Sequence, residues 1–247
     1  MKKEYIFGAV LLLLLLIASY FAFFKQSTLS YPLQVKDATI KESNEKYSID
    51  VIYPQVENLT NKTEQSKLNQ SVQDRMNSLV AEFKQNQVSS VEIPEFENAK
   101  SELKITYTSG LANSKIFSTQ FQILENFPGM AHPNNYNEVF NYNLQNASLI
   151  SLSTLFKPDS NYLQTLAEQA RKDLLEQEKE NPDAADFINE GTGPTADNFD
   201  LFLLDKDGLV LIFNPAAVAP DYFGTMKVTI PYGQIRNLFN PEFSSIL

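Results

Sequence analysis

"LKITYTSGLANSKIFSTQFQI", residues 103–123, alternates apolar and polar side chains twice, with a turn-forming segment between the two runs. Leu103, Ile105 and Tyr107 take one face of the first run; Phe117, Thr119, Phe121 and Ile123 take one face of the second. Side chains in a strand alternate between faces, so this pattern predicts two antiparallel strands turned by "SGLANS", residues 109–114. Downstream, Glu138 to Leu144 continues the same β character. Upstream, Val35–Lys41 and Tyr47–Tyr53 alternate around "KESNEK", which reads as a hairpin.

Two stretches change the period from two to that of a helix. Leu68, Val72, Met76, Leu79, Val80 and Phe83 recur on one helical face after Thr60, an expected N-cap. Leu163, Leu166, Ala167, Ala170 and Leu174 do the same, with Asp159 or Ser160 as cap and Asn181-Pro182 as the stop. Strands return at Phe199–Leu204 and Leu209–Phe213, joined by "DKDG", and again at Met226–Pro231. Helices inserted between antiparallel runs, rather than regular βαβ alternation, predict an α+β fold. The expected organisation is two small subdomains, residues 35–125 and 126–247, each an antiparallel sheet with one long amphipathic helix.

At the start of the chain, Tyr5 to Phe24 is twenty residues without a charge, flanked by Lys2, Lys3 and Lys25. At about 1.5 Å per residue it spans roughly 30 Å, the thickness of a bilayer core. Aromatic Tyr20, Phe21, Phe23 and Phe24 stand where a signal peptide would need small residues for cleavage, so an uncleaved single-pass anchor is expected. Lysines before it predict a cytoplasmic N-terminus, with residues 1–4 inside, 25–34 as a linker and the remainder extracytoplasmic at the cell membrane.

The chain has 247 residues and no cysteine, which excludes disulfides, thiolate metal sites and thiol nucleophiles. Setting aside Lys2, Lys3 and Glu4, 18 basic residues face 29 acidic ones, a net charge of about −11 for the exported part. That charge argues against nucleic acid and fits either a solubilising surface or attraction to a basic partner.

His132, in "PGMAHPNNYNEVFNYNL" (residues 128–144), is the sole histidine. No nucleophile elbow accompanies it, so it reads as a structural loop residue beside Pro133. "DKDG" resembles the core of a calcium loop, but with Gly208 at position 6, positions 1 and 12 fall on Leu203 and Asn214, neither a carboxylate. One histidine and no cysteine leave zinc without ligands, and no glycine-rich phosphate loop occurs; no catalytic residue, metal or cofactor is expected. The remaining signal is "FNPAAVAPDYFGTMKVTIPY", residues 213–232. Pro215, Pro220 and Gly224 there enclose Tyr222 and Phe223, which either present a rigid recognition loop or close the base of the core.

The ordered set His-Pro, "FNYNL", "LSTLF", "DGLVLIF" and "AP-x-Y-x-G" resembles the family called domain of unknown function 3298, and residues 35–125 resemble the partner domain that usually precedes it. Members include the extracellular part of an anti-sigma factor that binds lysozyme and a noncatalytic region of peptidoglycan deacetylases. The resemblance implies a partner surface at Pro220, Asp221, Tyr222 and Phe223, with His132, Pro133 and Gly224 shaping the loops. Asn143 stands where the family often has aspartate and the usual Gly-Lys turn is missing; with only residues 1–4 expected inside, no cytoplasmic sigma-binding segment is expected. The expected function is therefore a membrane-anchored, nonenzymatic binding module of the bacterial envelope. Its expected ligand is lysozyme or another basic wall-degrading enzyme, or peptidoglycan itself. Two alternatives stay open: a carboxylate-dependent hydrolase of wall sugars, and a structural envelope protein pairing with another membrane protein.

Overall fold

The hairpin read from residues 103–123 is the centre of a six-stranded sheet. The computed structural model describes residues 33–90, 99–181 and 183–244, all within one compact unit. The expected cytoplasmic tail, the anchor Tyr5–Phe24 and nearly all of the linker lie outside these residues. Among the described residues no helix is long and apolar enough to cross a membrane.

Strands β1 (Gln34–Ser43), β2 (Tyr47–Glu57), β3 (Ser101–Ala112), β4 (Ile116–Asn126), β5 (Asn134–Asn143) and β6 (Ser148–Leu149) follow one another in chain order across the sheet. The expectation of a purely antiparallel sheet is corrected at one place: β2 and β3 are parallel, Tyr47 opposite Ser101 and Val51 opposite Ile105. Helix α1 (Lys62–Ser90) lies between them in the chain, and a helical crossover returns the next strand in the same direction. The cap of α1 also differs from expectation. Asn61 rather than Thr60 accepts the Glu64 N–H through its side chain, at 3.2 Å. The turn between β3 and β4 shrinks to three residues, with the Asn113 side chain accepting the N–H groups of Lys115 and Ile116.

One face of the sheet packs on α1. Leu68, Val72, Met76, Leu79 and Phe83 of the helix meet Ile49, Val51, Leu103, Ile105 and Phe121 of the strands, all buried. The opposite face is covered at β4 and β5 by a second, three-stranded antiparallel sheet of β7 (Phe202–Leu204), β8 (Gly208–Phe213) and β9 (Met226–Pro231). Strand β8 is buried along its whole length because it has a core on each side. Leu209, Leu211 and Phe213 join the core against helix α3 (Tyr162–Gln177), preceded by the single-turn α2 (Leu152–Leu155). Val210 and Ile212 meet Leu203 and Val139 beneath the large sheet. That accounts for the unbroken apolar run "GLVLIF". The large sheet also runs through residue 125 without a break, since β4 and β5 pair from Ile116–Asn143 to Glu125–Asn134. The cap of α3 is Asn161, whose carbonyl accepts the Thr165 N–H, in place of Asp159 or Ser160.

Where the sheets meet, the contact is polar as well as apolar. Ser118 donates its hydroxyl to Asn141 Oδ1 at 2.5 Å and accepts the Leu204 N–H at 2.9 Å, while Asn141 Nδ2 donates to the Phe202 carbonyl at 2.8 Å. Both side chains are buried, so each satisfies a group that water cannot reach. Gly110 permits the approach: a Cβ there would stand 2.3 Å from the Leu204 carbonyl oxygen. Asn143 likewise has a reason for being an amide. It is buried, donates Nδ2 to Glu242 Oε1 at 2.8 Å and accepts the Gln145 N–H, and a carboxylate could not make the first of these bonds.

Asn141→Ala leaves the Phe202 carbonyl and the Ser118 hydroxyl short of partners and should cost about 2–3 kcal/mol, read by urea denaturation. Tyr142 supplies a pH test. Its hydroxyl donates to Glu64 Oε1 at 2.6 Å, and burial first, then that bond, push the phenol up to about 12. An unfolded tyrosine ionises near 10, so between about pH 10 and 12 the unfolded chain binds fewer protons and stability falls as pH rises. In Tyr142→Phe that part of the decline should vanish when denaturation curves at pH 9 and 11 are compared.

Candidate functional site

One candidate loop joins β4 to β5 of the large sheet and the other joins β8 to β9 of the small sheet, and the seam between the sheets brings the two loops together. Asn137 of β5 is the tie. Its backbone N–H and its side-chain amide both donate to Asn214 Oδ1, at 2.7 and 2.8 Å, and the amide also donates to Thr225 Oγ1 at 2.8 Å. Asn214 and Thr225 bracket the loop that carries Pro220 to Gly224. Gln120 extends the tie, donating to Asn137 Oδ1 at 2.6 Å and accepting Lys227 Nζ at 2.7 Å. Burial lowers the Lys227 ammonium pKa, the direction expected for a charge held against a neutral amide.

Within the loop, Val218 and Ala219 are buried and anchor its stem, and Gly191 lets the Ala217 carbonyl pass within 2.0 Å of where a Cβ would be. Asp221–Phe223 then forms one 3-10 turn, closed by Phe223 N–H to the Pro220 carbonyl at 3.0 Å and Gly224 N–H to the Asp221 carbonyl at 2.9 Å. Gly224 ends it at φ +72°, a conformation side chains disfavour. The two aromatic residues divide the two roles left open by the sequence. Phe223 packs against the core around α3, whereas Tyr222 is 83% exposed, its ring 4.7 Å from that of Phe223.

Across from this turn stands the loop ending in His132 and Pro133. His132 Nε2 lies 3.9 Å from Asp221 Oδ2, and Nδ1 lies 3.3 Å from the Pro133 carbonyl. The imidazole is 71% exposed, so it sits on the loop surface rather than filling the turn. All seven residues singled out from the sequence thus lie on two neighbouring loops. Beside Thr225 opens a polar trough of about 250 Å³, lined by Lys104, Thr106, Gln122, Asn135 and Tyr136. Among the described residues no serine stands against His132 in the contacts its ring makes, and no cluster of three metal-ligating side chains occurs. What this arrangement supports chemically is surface contact: one projecting aromatic ring, one carboxylate, one imidazole and a row of neutral hydrogen-bonding groups.

The tie residues Gln120, Asn137, Asn214 and Thr225 carry no motif and were not legible as part of the site. The one hint was the density of asparagine in "NNYNEVFNYN", residues 134–143, unusual for a strand whose polar face meets only water.

Residues 153–233 match the family described as protein of unknown function (DUF3298), and residues 40–135 match the one described as deacetylase PdaC. The peptidoglycan-N-acetylmuramic acid deacetylase PdaC of Bacillus subtilis is 30% identical over 118 residues, 47% of this chain, and this chain spans only 24% of that protein. The anti-sigma-V factor RsiV of the same organism is 27% identical over 212 residues, covering 82% of this chain and 69% of the relative. In fold, the chain resembles the crystal structure of a DUF3298 family member from Bacteroides fragilis, with a TM-score of 0.63 at 17% identity over 84% of this chain and 94% of that one.

Tyr222→Ala should leave the unfolding free energy within about 0.5 kcal/mol of the parent, since the ring is exposed, whereas Phe223→Ala should cost about 1–3 kcal/mol. Thermal denaturation of the two variants checks the division of roles. The chain carries a domain of the PdaC type followed by a DUF3298 domain.

Proposed function

We propose that this protein is a membrane-anchored, extracytoplasmic binding module of the bacterial cell envelope, and that the Pro220–Gly224 turn docks a basic wall-degrading enzyme of the lysozyme kind. The observation that carries the reading is Tyr222, 83% exposed in a turn whose next residue, half-buried, packs against the core. A large ring held rigidly in solvent loses little conformational entropy on docking and supplies much of the contact area that anchors an interface. Asp221 sits beside it, and the exported part carries a net charge of about −11 by residue count, which steers a cationic enzyme toward the surface. The similarity to an anti-sigma factor and to part of a peptidoglycan deacetylase supports a place at the envelope. The anchor at Tyr5–Phe24 and the cytoplasmic N-terminus belong to this proposal.

A second reading has its own observation. The trough next to Thr225 offers amides and hydroxyls from Thr106, Gln122 and Asn135 beside the half-buried ring of Tyr136, a combination that suits a sugar chain of peptidoglycan. The two readings share the surface and differ in ligand.

Binding of the full-length chain to lysozyme and to purified peptidoglycan, at low and at high salt, separates them. The enzyme reading expects lysozyme affinity that falls at least tenfold between 50 and 500 mM salt, as screening shortens to a few ångströms, and falls again in Tyr222→Ala. Peptidoglycan binding that ignores salt and is lost in Gln122→Ala would favour the polymer. Binding to neither would end both readings of this loop.

A further inference from the structure

The edge of the six-stranded sheet at β5 is covered over only part of its length. β6 pairs with Tyr142 and Asn143, and the Ile150 N–H still reaches the Asn141 carbonyl, at 2.8 Å. There the chain leaves the edge, because Ser151 caps α2 with a reciprocal side-chain and backbone pair to Thr154 and turns the chain into that helix. At the other end of β5, the outward N–H of Asn137 is taken by Asn214. Val139, between them, points its backbone the same way, and among the described residues no strand pairs with it on that side.

This open stretch is flanked by a cavity on each face of the sheet. One, of about 360 Å³, is walled by Leu149, Ile150, Leu152, Tyr162 and Phe202. The other, of about 510 Å³, lies toward α1 and is walled by Phe121, Phe140 and Tyr142. Val139 and Leu149 line both, and Leu149 is 63% exposed, a large apolar side chain left in water where the two cavities join. Successive side chains of an added strand point to opposite faces, so a strand laid along β5 would send them alternately into the two cavities.

The charges choose the occupant. Asp197 and Asp200 line the first cavity; burial and then the Asp197 carboxylate push the Asp200 carboxyl upward, and no basic side chain among the described residues acts on it. Asp74 lines the second cavity. Its one basic residue, Arg75, is already bonded to Glu138 at 2.8 Å and to Glu82 at 3.0 Å. The rim is therefore acidic with no free cation among the lining residues.

We propose that the β5 edge between Asn137 and Asn141 is a docking site for an extended polypeptide segment with apolar side chains at its centre and lysine or arginine at its ends. The segment adds as a strand, its backbone pairing with Val139, its apolar side chains filling the two cavities and its basic ends meeting Asp197, Asp200 and Asp74. The site stands apart from the Asp221 turn and does not depend on the function proposed for that turn. A second copy of this chain is disfavoured as the occupant, because it would set one acidic rim against another.

The probe is an acetylated, amidated octapeptide of four central valines with two lysines at each end, added to the full-length chain in zwitterionic phospholipid nanodiscs, with empty discs as baseline. The expected result is saturable binding, slower hydrogen exchange at the Val139 amide, and at least tenfold weaker binding in the Asp197→Asn, Asp200→Asn double variant. The same peptide with glutamate for lysine, and one N-methylated at alternate residues, should each bind at least tenfold more weakly, the latter because strand addition needs its N–H groups. No saturable binding, equal binding of the N-methylated peptide, or unchanged exchange at Val139 overturns the proposal. So does a sedimentation profile in which the peptide-free chain is already a dimer protected at Val139.

Discussion

The buried hydrogen bonds of Ser118 and Asn141 hold one sheet against the other, and the rest of the molecule follows from that contact. A serine and an asparagine removed from water must find partners, and the partners available are the main-chain groups of Phe202 and Leu204. Satisfying them sets β7 across β4 and β5 in one position. β8 then lies under the large sheet with both faces covered, and α3 closes the outer core over Leu209, Leu211 and Phe213. Gly110 sits where β7 comes nearest, and its missing side chain is part of the same constraint.

The two surfaces proposed for binding lie along one strand. β5 begins beside the His132 loop, where Asn137 ties it to Asn214 and Thr225 and so holds the Asp221 turn in place. Further along, before its last residues pair with β6, it leaves Val139 between two apolar cavities. Rigid backbone on both sides suits recognition, since little order has to be gained when a partner arrives. The projecting Tyr222 and the recessed β5 edge make different demands on a partner: the first offers a knob, the second a slot.

Much of the architecture was legible because it rests on local periodicity. The strands around residues 103–123, the stripe Leu68 to Phe83 on α1, the strand Met226–Pro231 and the turn at Asp205–Gly208 all follow from which side chains recur on one face. The aromatic pair was legible as a pair, and the two prolines with Gly224 marked the loop as rigid. The parallel pairing of β2 with β3 was not legible, because strand direction depends on where the chain re-enters the sheet after α1. Caps were misplaced by one or two residues, at Asn61 and Asn161, since several neighbouring polar residues could each serve and only the backbone's path selects among them.

What the sequence by itself determined is the class of the long strands and helices, the absence of thiol chemistry, the acidic balance and the candidate loop. What only the tertiary structure decided is which polar residues are buried and which aromatic residue faces water. Ser118, Gln120, Asn137 and Asn141 read as the solvent face of ordinary half-buried strands, yet each is buried in the seam. A polar side chain at every second position looks the same in sequence whether it meets water or a partner. Here the partners lie far along the chain, Lys227 for Gln120 at a separation of 107 residues, and no local pattern carries that distance. Tyr222 and Phe223 are adjacent and chemically alike, and it is the 3-10 turn, set by Pro220 and Gly224, that lays one against the core and points the other out.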